Sequence, residues 1–556
     1  MAFKNLLQNL IDFTKKNPKK IFSIVILLYF LPVYFFREYL IHDDWYAGLI
    51  KEGHFWAHPQ ANFFVEIGRS IQYVILRLLE IPVVTFGTIG GNISRLLGIG
   101  IFILFSFILI SVLHKNQNYF GSKTVSPALE HYTICILIAF STFSHVLINY
   151  IANTSILVAY TISISCFLIL HSTFSEKKNI DLIRKSILIT LILFLIVNIY
   201  PFAILVALAP LTQIILILQF NKIKEQFLHL FIWLLPLFCG LFLISAIVLL
   251  DFGGILKHEY NDFIFRGNFS HIAESIELSF NPFFLPSINK SISFSLGLVT
   301  LVGIFLLEMD RNKNHKKINQ ITLSLKSIFI KSLLLLLLFL ALTSMQFLSR
   351  PDFYHRAYFG AGLLVLICLN SSLIRILTKK FYLLGLILFL PISAINLNND
   401  HIKNVEADYQ DMRTKISSYL LNDGRNFLIF HNLSQAAQDI VNGIKEKYGW
   451  YTDEIYSRMA LHPQEMDASI QLILRDLSKQ SDHEQWFNTF EEAEESLNKI
   501  PTINESLSTS SSKIILLYFP KQLKEFQIKN IIEKINFDYF VIEDYAQNDV
   551  VKFHKK

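Results

Sequence analysis

Ionisable residues are sparse in this chain, and chemistry is best sought where they gather. The densest group is His42-Asp43-Asp44-Trp45, followed by Gly53-His54-Phe55-Trp56 and Gly68-Arg69-Ser70. Adjacent carboxylates at the edge of an apolar run are costly unless they are solvated or used. A carboxylate can take the proton of an attacking hydroxyl. Alternatively, Asp43 or Asp44 caps a helix beginning at Trp45. Neighbouring residues point about 100° apart on a helix, so one acid would react while the other positions or caps. Trp45 and Trp56 suit substrate contact or the aromatic belt of a membrane surface. A second group is Arg350-Pro351-Asp352-Phe353-Tyr354-His355-Arg356, and a third comprises Lys257, His258, Glu259 and Arg266. Guanidiniums bind phosphate oxygens bidentately. Arg69, Arg350 and Arg356, with His355, are therefore candidate contacts for a lipid-linked phosphate.

The elements that must position these residues are apolar. The 556-residue chain is 53% hydrophobic and 17% charged, where a soluble protein carries charge on about a quarter of its residues. The deficit is concentrated in runs long enough to cross a hydrocarbon core of about 30 Å, and such runs must be helical. Eleven spans are expected, near 21–41, 96–113, 131–151, 154–173, 186–200, 202–219, 227–250, 291–309, 328–348, 357–376 and 381–397. Cys135, Cys166, Cys239 and Cys368 all lie inside such runs, where a structural disulfide is not expected. Residues 1–17 place Phe3, Leu6, Leu7, Leu10 and Phe13 on one face, the pattern of a short surface helix. Lys15, Lys16, Lys19 and Lys20 precede a first span with no small-residue cleavage site, so it reads as uncleaved. Residues 63–79 read as an amphipathic interfacial helix, with Phe64, Ile67, Ile71, Val74, Ile75 and Leu78 on the membrane face. Glu66, Arg69, Ser70, Tyr73 and Arg77 occupy the other face, where an arginine can also snorkel to water without further role.

Lys and Arg recur in alternate short loops, which puts the N-terminus inside. Eleven spans then put residues 398–556 outside, together with the loops 42–95 and 251–290. Composition changes sharply at that boundary: the tail holds 25 acidic and 18 basic residues, against 19 and 32 upstream. Within it, 426–431 (NFLIFH), 513–519 (KIILLYF) and 539–542 read as strands and 528–535 as a helix, whereas 478–498 reads as helical or loose. The tail shows no zinc spacing, phosphate loop or nucleophile elbow and reads as an accessory domain. The expected architecture is thus an all-α polytopic membrane protein of about eleven transmembrane helices (residues 1–397) carrying a small extracytoplasmic α/β domain (residues 398–556).

Four stretches of the chain resemble the type II O-antigen glucosyltransferases of bacteria and phages, membrane enzymes of the glycosyltransferase C fold. Asp43-Asp44-Trp45 with Gly53, Trp56 and Gly68-Arg69 is similar to that family's first outer loop. Residues 89–99 (IGGNISRLLGI) lead into the second span in the family's manner, without its usual Ser-Pro dipeptide. Asn198-Ile199-Tyr200-Pro201 resembles a Tyr-Gln turn between short spans, with Pro in place of Gln, and Arg356-Ala357 resembles an arginine before the tenth span. The resemblance covers roughly residues 25–400, and the tail is longer than the family's.

The resemblance implies transfer of a sugar, typically glucose, from a polyprenyl-phosphate carrier to a glycan such as O-antigen or lipopolysaccharide at the outer face of the inner membrane. It implies Asp44, or Asp43, as base for the acceptor hydroxyl, and Arg69, Arg350 and Arg356 around the departing phosphate. Membrane lipids and the glycan acceptor are the other expected partners. No cofactor or nucleic acid is expected, and the sequence leaves a divalent metal open without indicating one. The rival expectation is a flippase or transporter of lipid-linked saccharides. Carriers place polar groups near the bilayer midplane on broken helices, whereas here the charges collect at the outer rim, which favours the enzyme.

Overall fold

The computed structural model describes residues 18–35, 69–120, 128–171, 179–218, 223–249, 317–348 and 358–377, parts of 37–44, 302–309 and 385–414, and five strands of the tail. The chain divides into two compact units. One comprises Met1–Phe35, Pro59–Leu79 and Ile93–Leu397. The other comprises Phe36–His58, Glu80–Asn92 and Asn398–Lys556.

The first unit is built of helices: α1 (Pro18–Tyr34), α2 (Ser70–Phe86), α3 (Thr88–Phe120), α4 (Ala128–Phe140), α5 (Thr142–Asn149), α6 (Ile151–His171), α7 (Asn179–Val197), α8 (Ala203–Val206), α9 (Leu211–Ile217), α10 (Ile223–Leu249), α11 (Lys317–Leu348) and α12 (Phe359–Ile376). The ends of α2 and α3 that meet at Gly87 belong to the second unit. Among the described residues, three helical stretches are long and apolar enough to cross a membrane: Thr88–Phe120, Ile151–His171 and Ile321–Ser344. Large apolar side chains face outward along these and neighbouring helices, among them Leu28, Ile183, Phe242 and Phe329. Apolar surface turned outward on helices of this length marks a membrane protein, because lipid tails solvate it and water does not.

Two expected spans are not continuous helices. The run 131–151 breaks at Ser141, which is extended between α4 and α5, and again at Tyr150 before α6. The run 202–219 divides into the single turn α8 and the two-turn α9, with turns between them ending at Pro210. Freed backbone groups in these breaks are met by side chains: the Ser163 hydroxyl donates to Ala203 O at 2.6 Å, and Thr154 Oγ1 to Leu147 O at 2.9 Å. Such compensation is what makes irregular backbone tolerable at membrane depth.

The helix expected over 63–79 is described from Ser70 to Phe86. Gln72, Leu76, Arg77, Leu79 and Glu80 are buried, whereas Val74, Leu78 and Ile81 are exposed. The buried polar side chains find their partners inside the protein, and the exposed apolar ones lie on the face expected to meet the membrane. The turn from α2 to α3 needs its glycines. Gly87 has φ 62°, and a Cβ on Gly90 would lie 1.9 Å from the Pro82 carbonyl oxygen.

The second unit contains a five-stranded sheet of order β2-β3-β1-β4-β5, where β1 is Phe427–Asn432, β2 His483–Trp486, β3 Ile514–Phe519, β4 Tyr539–Asp544 and β5 Lys552–Lys555. All pairings are parallel except β4 with β5. Phe427 pairs with Ile514 on one side and Tyr539 on the other. A central strand flanked on both sides suits the unbroken apolar run FLIF. Residues 483–486, expected helical or loose, form the edge strand β2. Its polar sequence HEQW fits an edge with one paired neighbour. Arg37 joins the first loop to the tail within this unit: its guanidinium lies 2.6 Å from Glu406 Oε2, and its backbone N–H donates to Asn92 Oδ1 at 2.9 Å.

Candidate functional site

Asp44 and Arg69 are the sequence-designated residues that fall among the described ones. Asp43, Trp45, Trp56, Arg350, His355 and Arg356 lie outside them, as do the loop 251–290 and residues 1–17. Asp44 is helical and fully buried, in the second unit.

Arg69 sits in the first unit, immediately before the first residue of α2. Its guanidinium carbon is 5.1 Å from the centroid of the Tyr200 ring. The arginine is buried, which removes the simple snorkelling alternative. Local sequence explains the meeting. Pro201 cannot continue α7, so the chain turns at Asn198–Tyr200 and leaves carbonyls without helical partners. One of them, Asn198 O, accepts from the backbone N–H of Gln72, itself a first-turn donor of α2, at 3.3 Å. The start of one helix is thus sewn to the end of another. The Gln72 side chain extends the seam, its Nε2 donating to Ser155 Oγ at 3.1 Å. Tyr160 packs edge-on to Tyr200 at 6.2 Å and stacks on Phe359 at 4.6 Å. Arg95, also buried, reaches Asn149 O from α3 with its Nε at 3.5 Å.

A guanidinium at the N-terminus of a 17-residue helix gathers two positive features at one place. The free N–H groups and the helix dipole there favour an anion, and the planar guanidinium adds bidentate hydrogen bonds to it. Ser70, at that terminus, is exposed, whereas Arg69 itself is buried. The chemistry fits a phosphate or phosphodiester.

Two further polar groupings lie within apolar helices of the same unit. The His145 ring is held on both nitrogens, with Tyr29 Oη at 2.7 Å from Nε2 and Tyr34 Oη at 2.5 Å from Nδ1, and all three residues are buried. Lys331 of α11 donates to Glu308 Oε1 at 2.6 Å and to Leu216 O at 2.9 Å, while Ser327 Oγ donates to Glu308 Oε2 at 2.6 Å. These are exceptions to the expectation that ionisable groups collect at the outer rim. Glu308, Lys331 and His145 were visible in the sequence as ionisable residues inside apolar runs, which is by itself a signal of function or of a paired partner. Gln72 and Ser155 carried no comparable signal.

Among the described residues, no group of three His, Cys, Asp or Glu side chains could hold a metal ion. All four cysteines are free thiols. No family model, curated protein or solved structure matches this chain.

Proposed function

We propose that this is a membrane glycosyltransferase that moves a hexose, glucose in the first instance, from a polyprenyl-phosphate carrier to a cell-surface glycan such as O-antigen or lipopolysaccharide. The observation that carries the reading is Arg69, buried over Tyr200 at the exposed N-terminus of α2, a built arrangement for the phosphate of a lipid-linked donor. It joins the first-loop motif and the Tyr200-Pro201 turn, the two stretches most similar to the type II O-antigen glucosyltransferases. In the reaction, the acceptor hydroxyl attacks the anomeric carbon and the bond from that carbon to the phosphate oxygen breaks. The polyprenyl phosphate departs toward Arg69, with Arg350, Arg356 and His355 as further contacts. Asp44, or Asp43, takes the hydroxyl proton, and Trp45 and Trp56 flank the sugar. On this reading the chain crosses the inner membrane about eleven times, its N-terminus is cytoplasmic, and the site and an α/β tail domain face outward.

Membranes containing the full chain, given a radiolabelled polyprenyl-phosphate hexose and outer-envelope glycan, test this. Transfer of label to glycan is expected, with Asp44→Asn lowering the rate by about 10² to 10⁴ as for loss of a general base. Asparagine caps a helix about as well as aspartate, so full activity in both Asp44→Asn and Asp43→Asn would remove these acids from the mechanism.

A second reading, a flippase for the same lipid-linked saccharide, is favoured by one observation. The helix breaks at Ser141, Tyr150 and between α8 and α9 carry buried polar residues, a feature of carriers. Reconstituted vesicles lacking acceptor separate the two. A carrier moves the intact lipid-linked sugar across the bilayer, whereas a transferase leaves it in place until acceptor is added.

A further inference from the structure

At the end of α6 remote from Ser155, the helices present a second polar assembly that the proposed transfer does not use. His114 and Asn116 come from α3, His131 from α4, His171 from the last turn of α6, and Thr212 and Gln213 from α9. Side-chain contacts join them in two groups, one around His131 and one around His171. Gln213 Nε2 donates to His131 Nε2 at 3.0 Å, and the rings of His114 and His131 meet edge-on at 6.2 Å. Asn116 Nδ2 donates to Pro210 O at 3.3 Å, and Asn116 Oδ1 lies 2.7 Å from His171 Nε2. His131, His171, Thr212 and Gln213 are all more than nine-tenths buried. Yet His131 Nδ1, His171 Nδ1, Thr212 Oγ1 and Gln213 Oε1 have no hydrogen-bond partner. One such atom in a membrane helix is unremarkable, but four on these residues call for an occupant, because dry unpaired polar atoms are costly.

The hydrogen bonds that are made define what the occupant must offer. Pro210 O can only accept, so the Asn116 amide nitrogen faces it and the amide oxygen faces His171. His171 Nε2 therefore carries the proton and Nδ1 presents a lone pair. His131 is the reverse: its Nε2 accepts from Gln213, so Nδ1 presents N–H. The free set is one N–H donor, one nitrogen acceptor, one amide-oxygen acceptor and a hydroxyl. A phosphate only accepts and would be repelled by Gln213 Oε1 and by the His171 lone pair. An ammonium only donates and finds N–H at His131. Hydroxyl groups both donate and accept and satisfy every member. Beside the site, the Tyr119 ring stacks on His171 at 5.2 Å and remains 45% exposed, an apolar face of the kind that meets the C–H side of a sugar ring.

We infer that this assembly is a second binding site, for a neutral polyhydroxylated group of the hexose class, at the opposite end of α6 from the Arg69 site. The inference stands apart from the transfer reaction, since its test uses neither lipid donor nor acceptor. Bound water shares the hydroxyl chemistry, and the experiment separates it from sugar.

Hydroxyl-radical footprinting of the full chain, in a detergent without sugar headgroups, is read at His131 and His171. Both should be labelled despite their burial, because solvent occupies the empty site. Glucose, galactose, mannose or N-acetylglucosamine in the high-millimolar range should protect both, relative to glycerol at matched radical-scavenging capacity. Protection should vanish in Gln213→Leu, which removes one free acceptor of the site together with the bond to His131 Nε2. If that variant does not fold, His131→Phe replaces it. Labelling that no hexose reduces would mean a water cluster only and would overturn the inference. So would absence of labelling, which would mean a dry cluster, or protection that survives the substitutions, which would put the sugar elsewhere.

Discussion

Lys331 and Glu308 form an ion pair of 2.6 Å with side chains 4% and 3% exposed, and its removal has a calculable signature. Lys331 donates to Glu308 Oε1 and to Leu216 O, and Glu308 also accepts from Ser327. Lys331→Met strips the carboxylate of its counter-charge and leaves it the Ser327 hydroxyl. It also removes a partner from Leu216 O near the C-terminal end of α9, where a cation is favourable. Stranding one member of a buried pair costs about 3 to 5 kcal/mol, and the lost neutral bond adds roughly 1 kcal/mol. Glu308→Leu strands the ammonium at similar cost. The double variant strands neither charge, and replacement of a buried pair by apolar groups of like volume is neutral or stabilising by about 1 to 4 kcal/mol. The singles should therefore be unstable and the double near the parent, with a coupling energy of at least about 3 kcal/mol, far above the roughly 0.3–0.5 kcal/mol scatter of independent sites. Tryptophan-fluorescence unfolding in detergent, over a complete double-mutant cycle, measures this. Single variants that each lose under about 1 kcal/mol and sum additively would show that the pair is solvated, and that the burial argument for these helices is wrong.

Further outcomes follow from the other groupings. Arg69→Ala should lower sugar transfer by about 10² to 10³, the usual loss for one contact to developing negative charge. Arg69→Lys should restore little, since an ammonium neither stacks on Tyr200 as a plane nor binds phosphate bidentately; full activity in both variants would make Arg69 a packing residue. Tyr29→Phe should destabilise the protein by about 1 to 3 kcal/mol by leaving a buried His145 nitrogen unpaired, and thermal melting reads it. Truncation after Asn398 removes Glu406 and the sheet that belong to the unit containing Asp44, so transfer should fall even though the chain inserts. Transfer at the full rate would make the tail dispensable.

The helical character and the tail strands were readable for simple reasons. A run such as 328–348 has no alternative to a helix in lipid, and NFLIFH, KIILLYF and YFVI are apolar, short and bounded by polar residues. The break at Ser141 was not readable, because it is neither Gly nor Pro and the apolar pattern runs through it, whereas the boundary at Tyr150 lies beside the one expected between the spans 131–151 and 154–173. Side chains of Thr154 and Asn153 take up carbonyls of α5 there. The apolar face of α2 was legible from spacing, with Val74 and Leu78 exposed as expected, whereas its extension to Phe86 was not. Of the site, Arg69 and the Tyr200 turn were legible separately, whereas their stacking depends on where α7 ends relative to α2. Local spacing does not encode that.

The Arg37–Glu406 bridge bears on how the protein is made. Its two residues are 369 positions apart. At about 5 to 20 residues per second, a ribosome needs roughly 20 to 70 s to supply the second after the first. Throughout that interval the segment Phe36–His58, with its two aspartates, must wait without the partners that the tail will bring. Contacts so distant in sequence also close late and slowly. The nascent chain is therefore most vulnerable to proteolysis at its beginning until its end has been synthesised, and a stall or premature stop anywhere in the last 150 or so residues (~) would leave an inserted bundle with an unfinished first loop.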